Sequence, residues 1–206
     1  FIDLLQNREY SLHDRLVNVL SASAEIQYAL DEEDTEEIKA IAQELSHPEI
    51  IAERVESLKK ALPEKPLENA ENMLSYLERL DFIGDILPQQ IKDASRFVKK
   101  LSAPLKAQTS GEYEKLAVYF VYRYFLKAVR DFDLMSKIKA MIVFVFAAEV
   151  INLSREQDAH ARFETVKELC KEIEYSGDNM DRIYDDSYLS DIFSDTSMLA
   201  LLEWTL

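Results

Sequence analysis

Only three glycines, Gly84, Gly111 and Gly177, occur in a chain of 206 residues, and no other feature constrains the fold so strongly. Average usage would supply about fourteen. Glycine is the residue that turns a backbone through left-handed conformations without steric cost. A GxGxxG dinucleotide turn, a Walker A loop and a row of tight β-hairpins all depend on it, so a nucleotide-binding α/β fold and a sheet-rich fold are both excluded. What remains is helix: apolar residues recur at helical spacing along nearly every segment, and none alternates cleanly with period two. The expected fold is all-α, a multi-helix bundle of about eight or nine helices.

The local punctuation divides that pattern. Ser11 with Asp14 forms a capping-box-like start for a helix carrying Leu12, Leu16, Leu20 and Ile26. The acidic run 31–37 serves as linker and as a helix start, where carboxylates favour the positive end of the dipole. Ile38, Ile41 and Leu45 stripe the next helix, and Pro48 opens another with Ile51, Val55, Leu58 and Leu62. Pro63 and Pro66 break the chain before a helix with Leu67, Leu74, Leu77 and Leu80. Pro88 opens one with Ile91, Val98 and Leu101. Residues 104–111 read as an internal linker, so 1–206 is expected to be a single helical domain with a possible division into 1–104 and 111–206. The most hydrophobic part, 112–153, is expected to form a central antiparallel hairpin jointed near 131–133. Ser154 with Gln157 would start a further helix, with Phe163, Val166, Cys170 and Ile173 on its inner face. Gly177 would end it, and a last helix would carry Met180, Ile183 and Tyr184.

Charge and cysteine content exclude more. The net charge is −15, distributed as −8 over residues 1–60, +1 over 61–156 and −8 over 157–206. Phosphate neutralisation needs a basic face, so a nucleic-acid partner is not expected. The longest apolar run, 140–148, is nine residues long against the roughly twenty a bilayer span needs, so no membrane partner is expected either. The lone Cys170 rules out a disulfide or a CxxC zinc site within the chain, and its apolar stripe is the setting that makes a thiol inert. One ExxH pair, Glu44 and His47, falls short of the two a carboxylate-bridged metal site in a bundle requires. Chain-bound cofactors and metals are therefore not expected. A reducing, cytoplasmic setting fits.

The densest aromatic–basic segment is 119–130, with Tyr122, Arg123, Lys127 and Arg130. One helical face of it fills a core. Arg123, beside that face, is expected to hold an internal carboxylate such as Glu149, the one acid in the adjacent apolar helix, while the Tyr122–Arg123 edge is a candidate contact surface. The acidic ends of the chain could attract lysine-bearing partners.

Three stretches together carry a resemblance. In residues 1–16 the matching positions are Leu5, Gln6, Arg8, Tyr10, Leu12, Arg15 and Leu16. In 119–139 they are Tyr119, 122–127, Asp131, Asp133, Leu134 and 137–139, and in 167–183 they are 172–176 with Asn179, with Lys171 in place of an arginine. These resemble the C-terminal half of the bacterial flagellin lysine-N-methylase family, in its "ILQ-x-R-x-Y-x-L-x-x-RL", "Y-x-x-YRYFLK", "D-x-D-L-x-x-KIK" and "REIEYS-x-x-N" patterns. They cover about a third of the chain. The resemblance implies a cytoplasmic bacterial methyltransferase that uses S-adenosylmethionine on flagellin lysines and carries an iron–sulfur, cysteine-cluster N-terminal half. That cluster's motif is absent here, and the chain begins at Phe1 with no initiator methionine. The expectation is a supporting C-terminal domain that packs on the missing half and positions the protein substrate, inactive alone. Tyr122, Arg123, Lys127, Arg130, Glu149, Glu174 and Tyr175 are its candidate substrate or interdomain contacts. The alternative is a non-enzymatic helical adaptor whose acidic ends bind a basic partner.

Overall fold

The structure, a computed structural model, describes residues 1–45, 47–61, 65–105, 111–155 and 158–204. Among these residues regular structure is helical throughout, with no strand, so the all-α expectation holds. In chain order the elements are α1 (Ile2–Gln6), α2 (Leu12–Asp31), α3 (Thr35–Glu44), α4 (Pro48–Ala61), α5 (Pro66–Leu77), α6 (Ile86–Val98) and α7 (Gly111–Tyr124). After a 3₁₀ turn (Phe125–Lys127) come α8 (Ala128–Asp131), α9 (Met135–Leu153) and α10 (Ala159–Leu169). A π-helical turn (Cys170–Glu174) leads into α11 (Gly177–Leu189), and a 3₁₀ turn (Asp191–Phe193) precedes α12 (Asp195–Leu202).

Helix α9 is apolar on every side, and a helix of that kind is stable only when enclosed. Its residues from Met135 to Asn152 are all buried. Helices α2, α6, α7, α10, α11 and α12 surround it. The α7–α9 pair forms the expected hairpin. Asn152 Nδ2 donates to the Tyr113 hydroxyl at 3.1 Å, and the Phe120 and Phe144 rings lie 4.5 Å apart, so the register runs antiparallel. The first arm is shorter than expected, because α7 ends at Tyr124 and the chain tightens into the 3₁₀ turn. That turn sets the Phe125 ring edge-on against Phe1, 5.2 Å between centroids.

Several helix starts follow the punctuation. Ser11 Oγ accepts the Asp14 N–H and Asp34 accepts those of Glu36 and Glu37, each satisfying donors that the first turn leaves unpaired. Pro48 and Pro66 open α4 and α5. Four expectations fail. Pro88 does not open α6, which starts at Ile86 and holds the proline within its first turn. Helix α10 is capped by Asp158, whose carboxylate accepts the Ala161 N–H, rather than by Ser154, and Gln157 lies outside the described residues. Gly177 begins α11 instead of ending α10, because Ser176 is the cap and accepts from Asn179 N–H. Phe163 faces solvent, 64% exposed, since the π turn shifts the phase between α10 and the residues that follow it. The side chains of Ile51, Val55, Leu58 and Leu62, and most of the expected linker, lie outside the described residues.

Candidate functional site

Three of the seven residues singled out in sequence, Arg123, Glu174 and Tyr175, come together where α7 meets the π turn. Glu174 closes that turn and its side chain is wholly buried. Its Oε1 accepts the hydroxyls of Tyr119 and Tyr124, each at 2.6 Å, and lies 3.0 Å from Arg123 Nε. Arg123 Nε also donates to the Tyr124 hydroxyl at 3.1 Å. The guanidinium carbon stands 5.9 Å from the Tyr119 ring centroid, 5.5 Å from Tyr124 and 5.7 Å from Tyr175. One cation is thus boxed by three aromatic faces above one buried carboxylate, an arrangement that combines cation–π attraction with an ion pair.

The electrostatics follow from that geometry. Burial, and then the Glu174 carboxylate, push the Tyr124 hydroxyl up to about 12, and the same causes in the same order raise Tyr119. The hydrogen bond to Tyr124 raises Arg123. Cys170, in the first position of the π turn, is half-buried, and burial followed by Glu174 pushes its thiol up, so it stays a thiol at neutral pH as the sequence indicates.

Arg123 therefore does hold an internal carboxylate, but Glu174 rather than Glu149. Glu149 faces the interior from α9, wholly buried, and neither of its oxygens has a hydrogen-bond partner among the described residues. Burial pushes its carboxyl well above the usual range, so it is buried as the neutral acid. The reason for the difference is reach: the π turn delivers Glu174 to the side of α7 that carries Arg123. Tyr122 is 75% exposed, and Lys127 Nζ lies 4.7 Å from the Tyr124 ring centroid. Arg130 is exposed. The sequence did not single out the exposed apolar residues Leu126, Val129 and Phe132, which follow Tyr122 through the 3₁₀ turn and α8.

The segments that carry the resemblance have visible work. Glu114 accepts from Arg8 and from buried Arg15, at 2.9 and 2.8 Å, and the Arg8 hydrogen bond leads the causes that hold its carboxyl below the ordinary range. Lys137 reaches Asp131 at 2.7 Å and Asp133 at 2.9 Å. Glu172 accepts the N–H groups of Ile83 and Gly84, while Asn179 Oδ1 accepts from Asp81 N–H and its Nδ2 donates to the carbonyls of Asp81 and Glu172. Glu172 and Asn179 together fasten the α5–α6 loop to the π turn and the start of α11.

The domain is all-helical, and two of its matched segments, 119–139 and 167–183, meet at the buried Glu174 carboxylate. The family of the FliB lysine N-methylase C-terminal domain matches residues 1–201, and the chain belongs to it. No curated protein and no solved structure matches the chain. The donor set does not fit an iron–sulfur cluster, since the sequence holds one cysteine and a cluster takes several thiolates. Among the described residues no group of three or more His, Cys, Asp or Glu is arranged to hold a metal ion, and no helix is long and apolar enough to cross a membrane. The groove beside the cluster is an open trough between α1 and α7, lined by Ile2, Gln6, Glu114, Lys115, Val118, Tyr119 and Tyr122.

Proposed function

We propose that this chain serves as the substrate-positioning part of a lysine methylase acting on flagellin, with the methyl donor and any cluster held by a further part of that enzyme. The observation that carries the reading is the face beside the Arg123–Glu174 cluster. Tyr122, Leu126 and Val129 stand 75%, 72% and 71% exposed along α7 and the turns after it, flanked by Lys127 and Arg130. An exposed apolar row with a basic rim is a contact surface for another protein. It lies in the neutral middle of an otherwise acidic chain, where repulsion from a partner's carboxylates is least.

Substituting alanine at Tyr122, Leu126 and Val129 together in the methylating enzyme is expected to raise the KM for flagellin by about tenfold, or about 1.4 kcal/mol of binding. The kcat should not move, because none of the three is placed at reacting atoms. An unchanged KM would overturn the reading. Methyl transfer by the 206-residue chain alone at the rate of the longer enzyme would overturn the division of labour.

A further inference from the structure

The Arg123 box is unusual in how little the arginine uses. Arginine grips a carboxylate best through its fork, two parallel N–H bonds. Here the closest approach to Glu174 is by Nε, at 3.0 Å, and among the described residues the one hydrogen bond the guanidinium makes runs from Nε to the Tyr124 hydroxyl, with none from the terminal nitrogens. Glu174 Oε1 accepts the Tyr119 and Tyr124 hydroxyls, with the Cys170 thiol a further neighbour of the carboxylate, while Oε2 is buried and accepts no hydrogen bond. The guanidinium is also the lid of the box: the Arg123 side chain is 46% exposed, the carboxylate beneath it not at all. Terminal guanidinium nitrogens without hydrogen bonds, a spare buried acceptor and three ring faces suit an alkylammonium, a compact charge with three donors, better than they suit a guanidinium.

We propose that the box is an exchangeable cation site, filled by Arg123 in the chain alone and taken over by the ε-ammonium of a lysine on the bound protein substrate. Glu174 is then the counter-ion, and Tyr119, Tyr124 and Tyr175 are the walls. The inference rests on the substrate-positioning reading and deepens it by naming where the lysine sits. Tyr122, next in sequence to Arg123 and 75% exposed, borders the box, so a peptide lying across it passes beside the opening. The site is a positioning one; no transfer step is assigned to it.

The test titrates the 206-residue chain with Nα-acetyl-lysine methylamide, following the tyrosine ring resonances. In Arg123→Ala the lid is gone, and the probe is expected to bind saturably and at least about tenfold more tightly than to the unaltered chain, which must first release its own arginine. Adding Tyr175→Ala, which removes a wall that is 66% exposed, should weaken that binding about three- to fivefold. The neutral Nα-acetyl-glutamine methylamide should not bind. Absence of saturable binding, or binding indifferent to Tyr175→Ala, overturns the proposal. Arg123→Gln is the second lid-opening variant. Should neither variant fold, the unaltered chain decides, because its Tyr119 and Tyr175 resonances must shift saturably with the lysine probe and their failure to do so overturns the site. The readout is separate from the flagellin KM. Probe binding with an unmoved KM defeats the docking reading alone, and a raised KM without probe binding defeats this site alone.

Discussion

Glu149 and Glu114 show how differently two buried acids act on stability. Burial raises the Glu149 carboxyl well above its ordinary 4.5, with no donor to offset it. As pH rises past that value the unfolded chain ionises first, the folded chain keeps the extra proton, and stability falls by about 1.4 kcal/mol per pH unit until the folded group also ionises. Glu149→Met removes the penalty. It is expected to stabilise the chain at pH 7.5 in urea unfolding and to do so far less at pH 4, so equal effects at the two pH values would refute it. Glu114 has the opposite sign: its folded value is lowered, first by Arg8, so its contribution is present above the ordinary value and is lost as pH falls through the folded one. Arg15 is the buried half of that network, its side chain 3% exposed, and Arg15→Met is expected to cost about 3–5 kcal/mol by leaving a buried carboxylate short of a partner. Arg8→Ala, at a side chain 71% exposed, should cost much less in the same urea titration. The sequence showed that Arg123 would hold a buried acid, and Glu149 was conspicuous there as the one acid in an apolar helix. Conspicuousness in sequence reports burial, however, and burial without a donor produces a neutral acid instead of an ion pair.

At the scale of elements, the start of α9 depends on a residue from another helix. Gln27 of α2 accepts the N–H groups of Leu134 and Met135, at 2.7 and 3.3 Å, and donates to the Phe132 carbonyl at 2.9 Å. Phe132 sits in the left-handed region, φ 55°, where the chain reverses between α8 and α9. Gln27→Ala would leave buried donors unpaired and is expected to cost about 1–3 kcal/mol. Gln27→Glu keeps the acceptor but loses the donor bonds to the Phe132 carbonyl and to Asp31 Oδ1, at 2.9 Å each, and faces the Asp31 carboxylate, so it is expected to destabilise too; an unchanged thermal midpoint in Gln27→Ala would show that the cap does not hold the start of α9. Caps made locally, such as Ser11 to Asp14, were legible because donor and acceptor are three residues apart. Gln27 was not, since its partners lie more than a hundred positions along. The π turn escaped for a related reason: apolar spacing is a running average, and one added residue in 170–174 shifts the phase without breaking the pattern.

For the whole molecule, scarcity of glycine and an apolar helix with no polar face were enough to place α9 at the centre of a helical bundle. The apolar cluster around it runs from Leu4 to Trp204. We expect one cooperative transition. Trp204, the single tryptophan, is fully buried with its ring 6.2 Å from Phe146 of α9, so its fluorescence reports the centre while circular dichroism reports all helices. Coincident midpoints are the expected outcome, and separated ones would divide the chain into two units. The location of the candidate cluster was only half legible. Helical spacing identified the Tyr122–Arg123 edge, but bringing α7 against the π turn is a tertiary event between segments about fifty residues apart.

An arginine tethered inside its own cation box is also a competitor that never diffuses away. Its local concentration is set by the backbone rather than by the surroundings, on the millimolar scale or above for so short a link. Free lysine and stray basic peptides at lower concentrations would lose that contest. A lysine delivered by a surface already docked on Tyr122, Leu126 and Val129 is itself presented at high local concentration and competes on equal terms. Under the exchange proposal, selectivity thus arises from the order of events, attachment first and insertion second, and the chain's own side chain sets the threshold.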